Sequence, residues 1–146
     1  MKTILVPIDA NKEADLVIKK ALEVAEVFDA QVHLMHATSE GHSKEDSDFG
    51  SENLEPENLS GHEKEMKNLN VFKSKFLDAG INCEVHLAKG VADLEILGLA
   101  ERLAADLIII GLIQHSALYK LFVGSVSNEV IKATKIPVLL IPVDHK

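Results

Sequence analysis

The residues best equipped for chemistry cluster at a few points along the chain. Asp9 ends the apolar run Ile4-Leu5-Val6-Pro7-Ile8, Gly111 ends the run Leu107-Ile108-Ile109-Ile110, and Gly124-Ser125 precedes a helical stretch. A helix N-terminus presents unpaired N–H groups and a partial positive charge, so it attracts phosphate. Glycine at that point lets the backbone approach an anion closely, and serine adds a hydroxyl donor. A plain helix entry fits the same residues, with Gly124 as the entry glycine and Ser125 or Ser127 as the N-cap. Asp9 taken alone also suits a cap or turn acid ahead of the first helix.

The remaining reactive side chains form no recognisable catalytic set. His115 neighbours the Gly111–Gly124 segment. Hydrolysis would need a placed base, an activated nucleophile or water, and a metal-binding acid besides Asp9, and these are absent from the pattern. His42 and His62 lie among acids without ligand spacing, which fits a solvated loop. His33, His36 and His86 fall within strand-like segments and read as structural. Cys83 is the only cysteine, which excludes an internal disulfide and a CxxC motif. Its alternating apolar surroundings make it a small buried hydrophobe. The GxxxxGK[ST] phosphate loop is missing.

Composition narrows the partners. The chain has 146 residues, a net charge of -8 and 47% hydrophobic residues with few aromatics, as expected for one domain with an aliphatic core. The acidic balance argues against nucleic-acid binding and anionic membranes, both of which need Lys/Arg clusters. No secretory leader is legible and no apolar run approaches membrane-spanning length, so a cytoplasmic protein without membrane insertion is expected.

The elements that position these residues follow from periodicity. Strands are expected at 4–9, 31–37, 81–87, 106–111 and 136–143, with helices at 12–29, around Leu69, Phe72 and Phe76, at 93–105 and at 125–134. Val17, Ala21, Val24 and Phe28 share one helical face. Ile96, Ala100 and Leu103 form the core face of the third helix, and Val126, Val130 and Ala133 that of the last. Gly80 stops the second helix. Leu118, Leu121 and Phe122 suggest a short helical turn. The polar stretch from Ser39 to about Gly61 reads as an acidic flexible loop within the second crossover. Alternating strands and helices with long connections imply an α/β fold: a single-domain, open, five-stranded parallel sheet with helices on both faces. The most continuously apolar strands, the first and fourth, belong in the centre, so Asp9 and Gly111 should be neighbours at the carboxyl edge, where such sheets bind ligands.

Three segments, ILVPID, HLMHA and GLIQHSALYKLFVGSVSNEVIKATKIPVLLIP, together resemble the universal stress protein family. The resemblance spans the chain apart from the acidic loop. Nucleotide-binding members carry glycine, two residues, glycine, nine residues, then glycine followed by Ser or Thr. Gly111 and Gly124-Ser125 match that pattern, and Gln114 replaces the second glycine. The resemblance implies strand order 3-2-1-4-5, the Rossmann-like arrangement of adenine nucleotide alpha hydrolases. It also implies a site for ATP, ADP or AMP. In that site Asp9 accepts bonds from ribose hydroxyls, main chain at Ala37 holds adenine, and Pro7 shapes the turn beside base and ribose. Gly111, Gly124, Ser125 and Val126 surround the phosphates, and Asp9 can contact a Mg2+ ion on them. A glutamine at a left-handed position would cost about 1 kcal/mol, although its amide is also a donor. The implied function is a regulatory binding module and not an enzyme. The alternatives are a dimeric interaction protein without nucleotide or, ranked last, a slow ATP hydrolase. A homodimer through the uncharged edge strand, Ile136 to Val143, is expected. The protein partner is not legible in the sequence. A flavodoxin-type flavin site is disfavoured by DANKEAD after the first strand, and a receiver domain by the lack of an aspartate after Leu87.

Overall fold

The pattern of continuous apolar runs alternating with amphipathic stretches resolves into nine elements in the computed structural model, which describes residues 2–8, 14–38, 61–114 and 125–144. In chain order they are β1 (Thr3–Pro7), α1 (Ala14–Phe28), β2 (Gln31–Thr38), α2 (Gly61–Asp78), β3 (Cys83–Lys89), α3 (Ala92–Leu103), β4 (Leu107–Gln114), α4 (Ser125–Ala133) and β5 (Val138–Asp144). All strand pairs are parallel, and the sheet order is β3-β2-β1-β4-β5. The acidic stretch 39–60, the Leu118–Phe122 turn, His115, Asp9 and Gly124 lie outside the described residues.

The two sheet faces carry separate cores. On one face Val17, Ile18 and Ala21 of α1 and Leu69 and Phe76 of α2 pack against Ile4, Val6, Val32, Leu34 and Ile109. On the other, Ile96, Leu99 and Ala100 of α3 and Val130 of α4 cover Leu5, Met35, Ile108 and Ile110. Because successive strand side chains point to opposite faces, every residue of the central β1 is buried, and its sequence reads as an unbroken apolar run. Each fully buried aliphatic side chain contributes about 1.5–3 kcal/mol.

Some details differ from the sequence expectation. The buried stripe of α1 is Ala14, Val17, Ile18, Ala21 and Ala25, while Phe28 is 49% exposed. Small Ala21 and Ala25 let the helix sit close to the sheet. Phe28 ends the last turn, just before the left-handed Asp29 at φ 54° turns the chain towards β2. In α4, Val130 is buried but Ala133 is exposed, and the Val126 side chain lies outside the described residues. β4 extends through Gln114 because its pairing with β5 continues to Gln114↔Asp144. Gly111 is therefore a mid-strand residue and does not mark the strand exit.

Candidate functional site

β1 and β4 are the central pair of the sheet, and their amino ends are tied together. At the amino end, the Asp106 N–H donates to the Thr3 carbonyl at 2.8 Å. The Asp106 carboxylate accepts the Lys2 and Thr3 N–H groups at 2.9 and 3.0 Å. These backbone donors favour its charged form and hold the carboxyl below its usual range. Ladder pairing follows at Ile4↔Leu107 and Leu5↔Ile108, the last β1–β4 pairs among the described residues, where Pro7 has no N–H to carry the ladder on. Beyond that point β1 stays with β2 through Pro7↔Met35, while β4 stays with β5 through Gln114↔Asp144. β1 and β4 are neighbours at the centre of this parallel sheet, and their carboxyl ends share one edge. Chain order reverses there, since β1 is followed by β2 on one side and β4 by β5 on the other, which is where open parallel sheets accept ligands.

Several of the sequence-predicted residues stand on this edge. Pro7 closes β1, and the Ile8 N–H continues the ladder to the Met35 carbonyl at 2.8 Å. Ala37 sits near the end of β2, opposite Ala88. Gln114 ends β4, and Ser125 and Val126 open α4. The Ser125 and Gln114 side chains lie outside the described residues, as do Asp9 and Gly124. Gln114 has strand backbone, and among the described residues positive φ at a non-glycine occurs only at Asp29 and Ala104. The left-handed cost anticipated for this glutamine therefore does not arise. Gly111 has a packing reason of its own. A Cβ there would meet Val17 Cγ2 at 3.0 Å and Val143 Cγ2 at 3.5 Å, so the missing side chain admits α1 onto the sheet.

The histidines within strands have definite partners. His36 Nδ1 lies 2.9 Å from the Ile8 carbonyl, which only a protonated Nδ1 can satisfy as donor, and Nε2 lies 3.2 Å from Glu65 Oε2. The ring therefore ties α2 to the exit of β1, one residue before Asp9. His33 Nδ1 and His86 Nε2 are 2.9 Å apart across the β2–β3 pair. Burial lowers the pKa of His33 against an opposing effect of the Glu84 charge. Burial also lowers that of His86, aided by His33 and Arg102 and opposed by Glu84. Sequence reasoning took these two histidines as separate structural residues and left Glu84 out. The Glu84-x-His86 spacing signals a shared strand face, but the meeting with His33 depends on cross-strand register. Cys83 is 4% exposed, and burial pushes its thiol up to about 12, consistent with the small buried hydrophobe expected from sequence.

The model of the universal stress protein family matches residues 1–142. The chain belongs to that family. No curated protein matches it at a significant level. Among solved structures, hypothetical protein MJ0577 is similar at 29% identity and a TM-score of 0.74, covering 99% of this chain and 96% of that one. An Archaeoglobus fulgidus universal stress protein in complex with dAMP shares the fold at 22% identity and a TM-score of 0.67, covering 97% of this chain and 98% of its own. A further universal stress protein, in complex with cAMP, does so at 18% identity and 0.68, covering 97% and 96%. The five-stranded sheet in order 3-2-1-4-5 is thus the family's α/β fold. No helix among the described residues is long and apolar enough to cross a membrane.

Proposed function

We propose that this family member is a regulatory adenine-nucleotide-binding module of the cytoplasm, working through partner contacts and not through turnover. The observation that carries this reading is the reversal of chain order between the neighbouring strands β1 and β4, which makes their carboxyl edge the switch point where open parallel sheets accept ligands. Relatives of the same fold in complex with cAMP and dAMP support an adenine nucleotide as its occupant. In this proposal Asp9 accepts the ribose hydroxyls, Pro7 shapes the turn beside them, and main chain at Ala37 holds the base. The phosphates lie among Gly111, Gln114, Gly124, Ser125 and Val126, at the positive end of α4. Asp9 would also be the acid available to a Mg2+ ion accompanying those phosphates. His36 is a positioning residue, fixing the β1 exit from which Asp9 follows. Release of ATP, ADP or AMP on denaturing the purified protein, and heat on titrating ATP into the nucleotide-free protein, are the expected results. No bound nucleotide and no heat at millimolar ATP would overturn the proposal. Phosphate release should not exceed a buffer blank, with or without Mg2+.

A second reading, an interaction protein with an empty site, draws on Gln114 at the motif position where nucleotide-binding relatives carry glycine. Both readings include a homodimer through β5. That strand lies on the sheet edge, and Leu139 is 37% exposed. A surface hollow of about 500 Å3, lined in part by Ile131, Ile136, Val138 and Leu140, adjoins it.

A further inference from the structure

The opposite edge of the sheet carries a group of ligand-type side chains that the nucleotide reading does not use. β3 is the edge strand there, and its register with β2 sets His33 against Glu84. Glu84 and His86 are two residues apart on one strand, so both side chains leave on the same face. That face also receives His33, since directly paired residues project to the same side. The His33 and His86 rings lie with centroids 5.1 Å apart and planes tilted by 32°. One ligand atom from each of His33, Glu84 and His86 falls within 4.8 Å of the other two. His33 is buried, His86 half-buried and Glu84 exposed, so the group is anchored on one side and reachable from solvent on the other.

We propose that His33, Glu84 and His86 form a binding site for a divalent transition-metal ion of the Zn2+ class, distinct from the carboxyl-edge site. Two imidazoles and one carboxylate are a ligand set that suits Zn2+ and leaves a fourth tetrahedral position for water. Zn–N bonds of about 2.0–2.1 Å place two tetrahedral ligand nitrogens about 3.3–3.4 Å apart. The two ring nitrogens, at 2.9 Å, have to separate only slightly. Of two nitrogens hydrogen-bonded to each other one is unprotonated, so one ring offers its electron pair directly and the other does so once its proton moves to its second ring nitrogen or to solvent. Glu84 has no ion-pair partner among the described residues to hold it back, and it closes the remaining distance by rotating an exposed side chain. Arg102 of α3, also exposed, acts on His86 electrostatically and opposes a cation there. Metal affinity is therefore limited by a removable charge.

The test titrates Co2+, as a visible-absorbing probe, into nucleotide-free and chelator-treated protein, followed by competition with Zn2+. One Co2+ per chain with ligand-field absorption is expected. His86→Asn should abolish the absorption, and Glu84→Gln should weaken binding by about tenfold or more. Arg102→Gln should tighten it several-fold, which a purely structural histidine pair would not produce. Zn2+ should shift the imidazole 15N resonances of His33 and His86 selectively among the seven histidines. No binding at micromolar metal, or unchanged binding in His86→Asn, overturns the proposal. So does metal-induced shifting confined to other histidines. If His86→Asn fails to fold by circular dichroism, the exposed Glu84→Gln and Arg102→Gln variants decide. None of these readouts depends on nucleotide, so failure here and failure of the nucleotide site remain distinguishable.

Discussion

Gly111 illustrates how one residue type can answer to two demands. The sequence motif sets it among phosphate-binding glycines, whereas the packing sets its bare Cα against Val17 of α1 and Val143 of β5. A methyl group at 3.0 Å from Val17 Cγ2 forces the helix or the valine to give way. Gly111→Ala is therefore expected to cost about 1–3 kcal/mol of unfolding free energy in urea, with no nucleotide present. Val17→Ala in the same chain should recover part of that loss by freeing the space. Stability unchanged in Gly111→Ala would leave phosphate binding as the only reason for the glycine.

At the scale of elements, the ends of helices and strands carry much of the definition. Gly80, at φ 80°, closes α2 as its residue type announces, with the Ile81 N–H reaching the Phe76 carbonyl at 2.9 Å. α3 ends in the same way on an alanine, Ala104, at φ 52° and ψ 48°. A non-glycine pays for left-handed backbone by about 1 kcal/mol or more, partly offset by the extra freedom glycine has when unfolded. Ala104→Gly should thus raise stability by about 0.5–1 kcal/mol, read as a higher urea midpoint at unchanged slope. The start of β1 depends on Asp106, whose charged carboxylate accepts two backbone N–H groups. Its folded pKa is depressed, so the carboxylate's contribution is present above the unfolded value of about 4 and is lost as pH falls through the folded value. The stability gap between the protein and Asp106→Ala is expected to shrink in acid. A gap that stays constant from neutral pH to pH 3 would show that the carboxylate charge is irrelevant.

For the whole molecule, the sheet order places the two proposed surfaces on opposite edges, β5 and β3. β5 presents an uncharged stretch, Val138-Leu139-Leu140-Ile141, whose outward N–H and C=O groups call for pairing. Light scattering at micromolar concentration should give a dimer mass, and replacing Leu140 with proline, which removes an edge donor, should move it towards the monomer. A strictly monomeric mass for the unaltered chain would contradict the proposed assembly. The β3 edge carries His33, Glu84 and His86 instead.

How much of this was legible beforehand depends on the range of the interaction involved. Hydrophobic period marked every strand and helix, because burial on one face or two writes itself into consecutive residues. Alternation of the two element types implied the parallel sheet, and the apolar runs at Ile4–Ile8 and Leu107–Ile110 marked its centre. Tertiary structure decided what depends on contacts between distant segments. It carried β4 through Gln114 by pairing with β5, turned the buried stripe of α1 from Phe28 to Ile18 and Ala25, and left Gly111 beneath α1. It also brought His33 beside His86, 53 positions away, through a strand register that no local pattern encodes. Local chemistry determines where elements form, but which side chains meet is decided only when the pairing register and the distance between helix and sheet are settled.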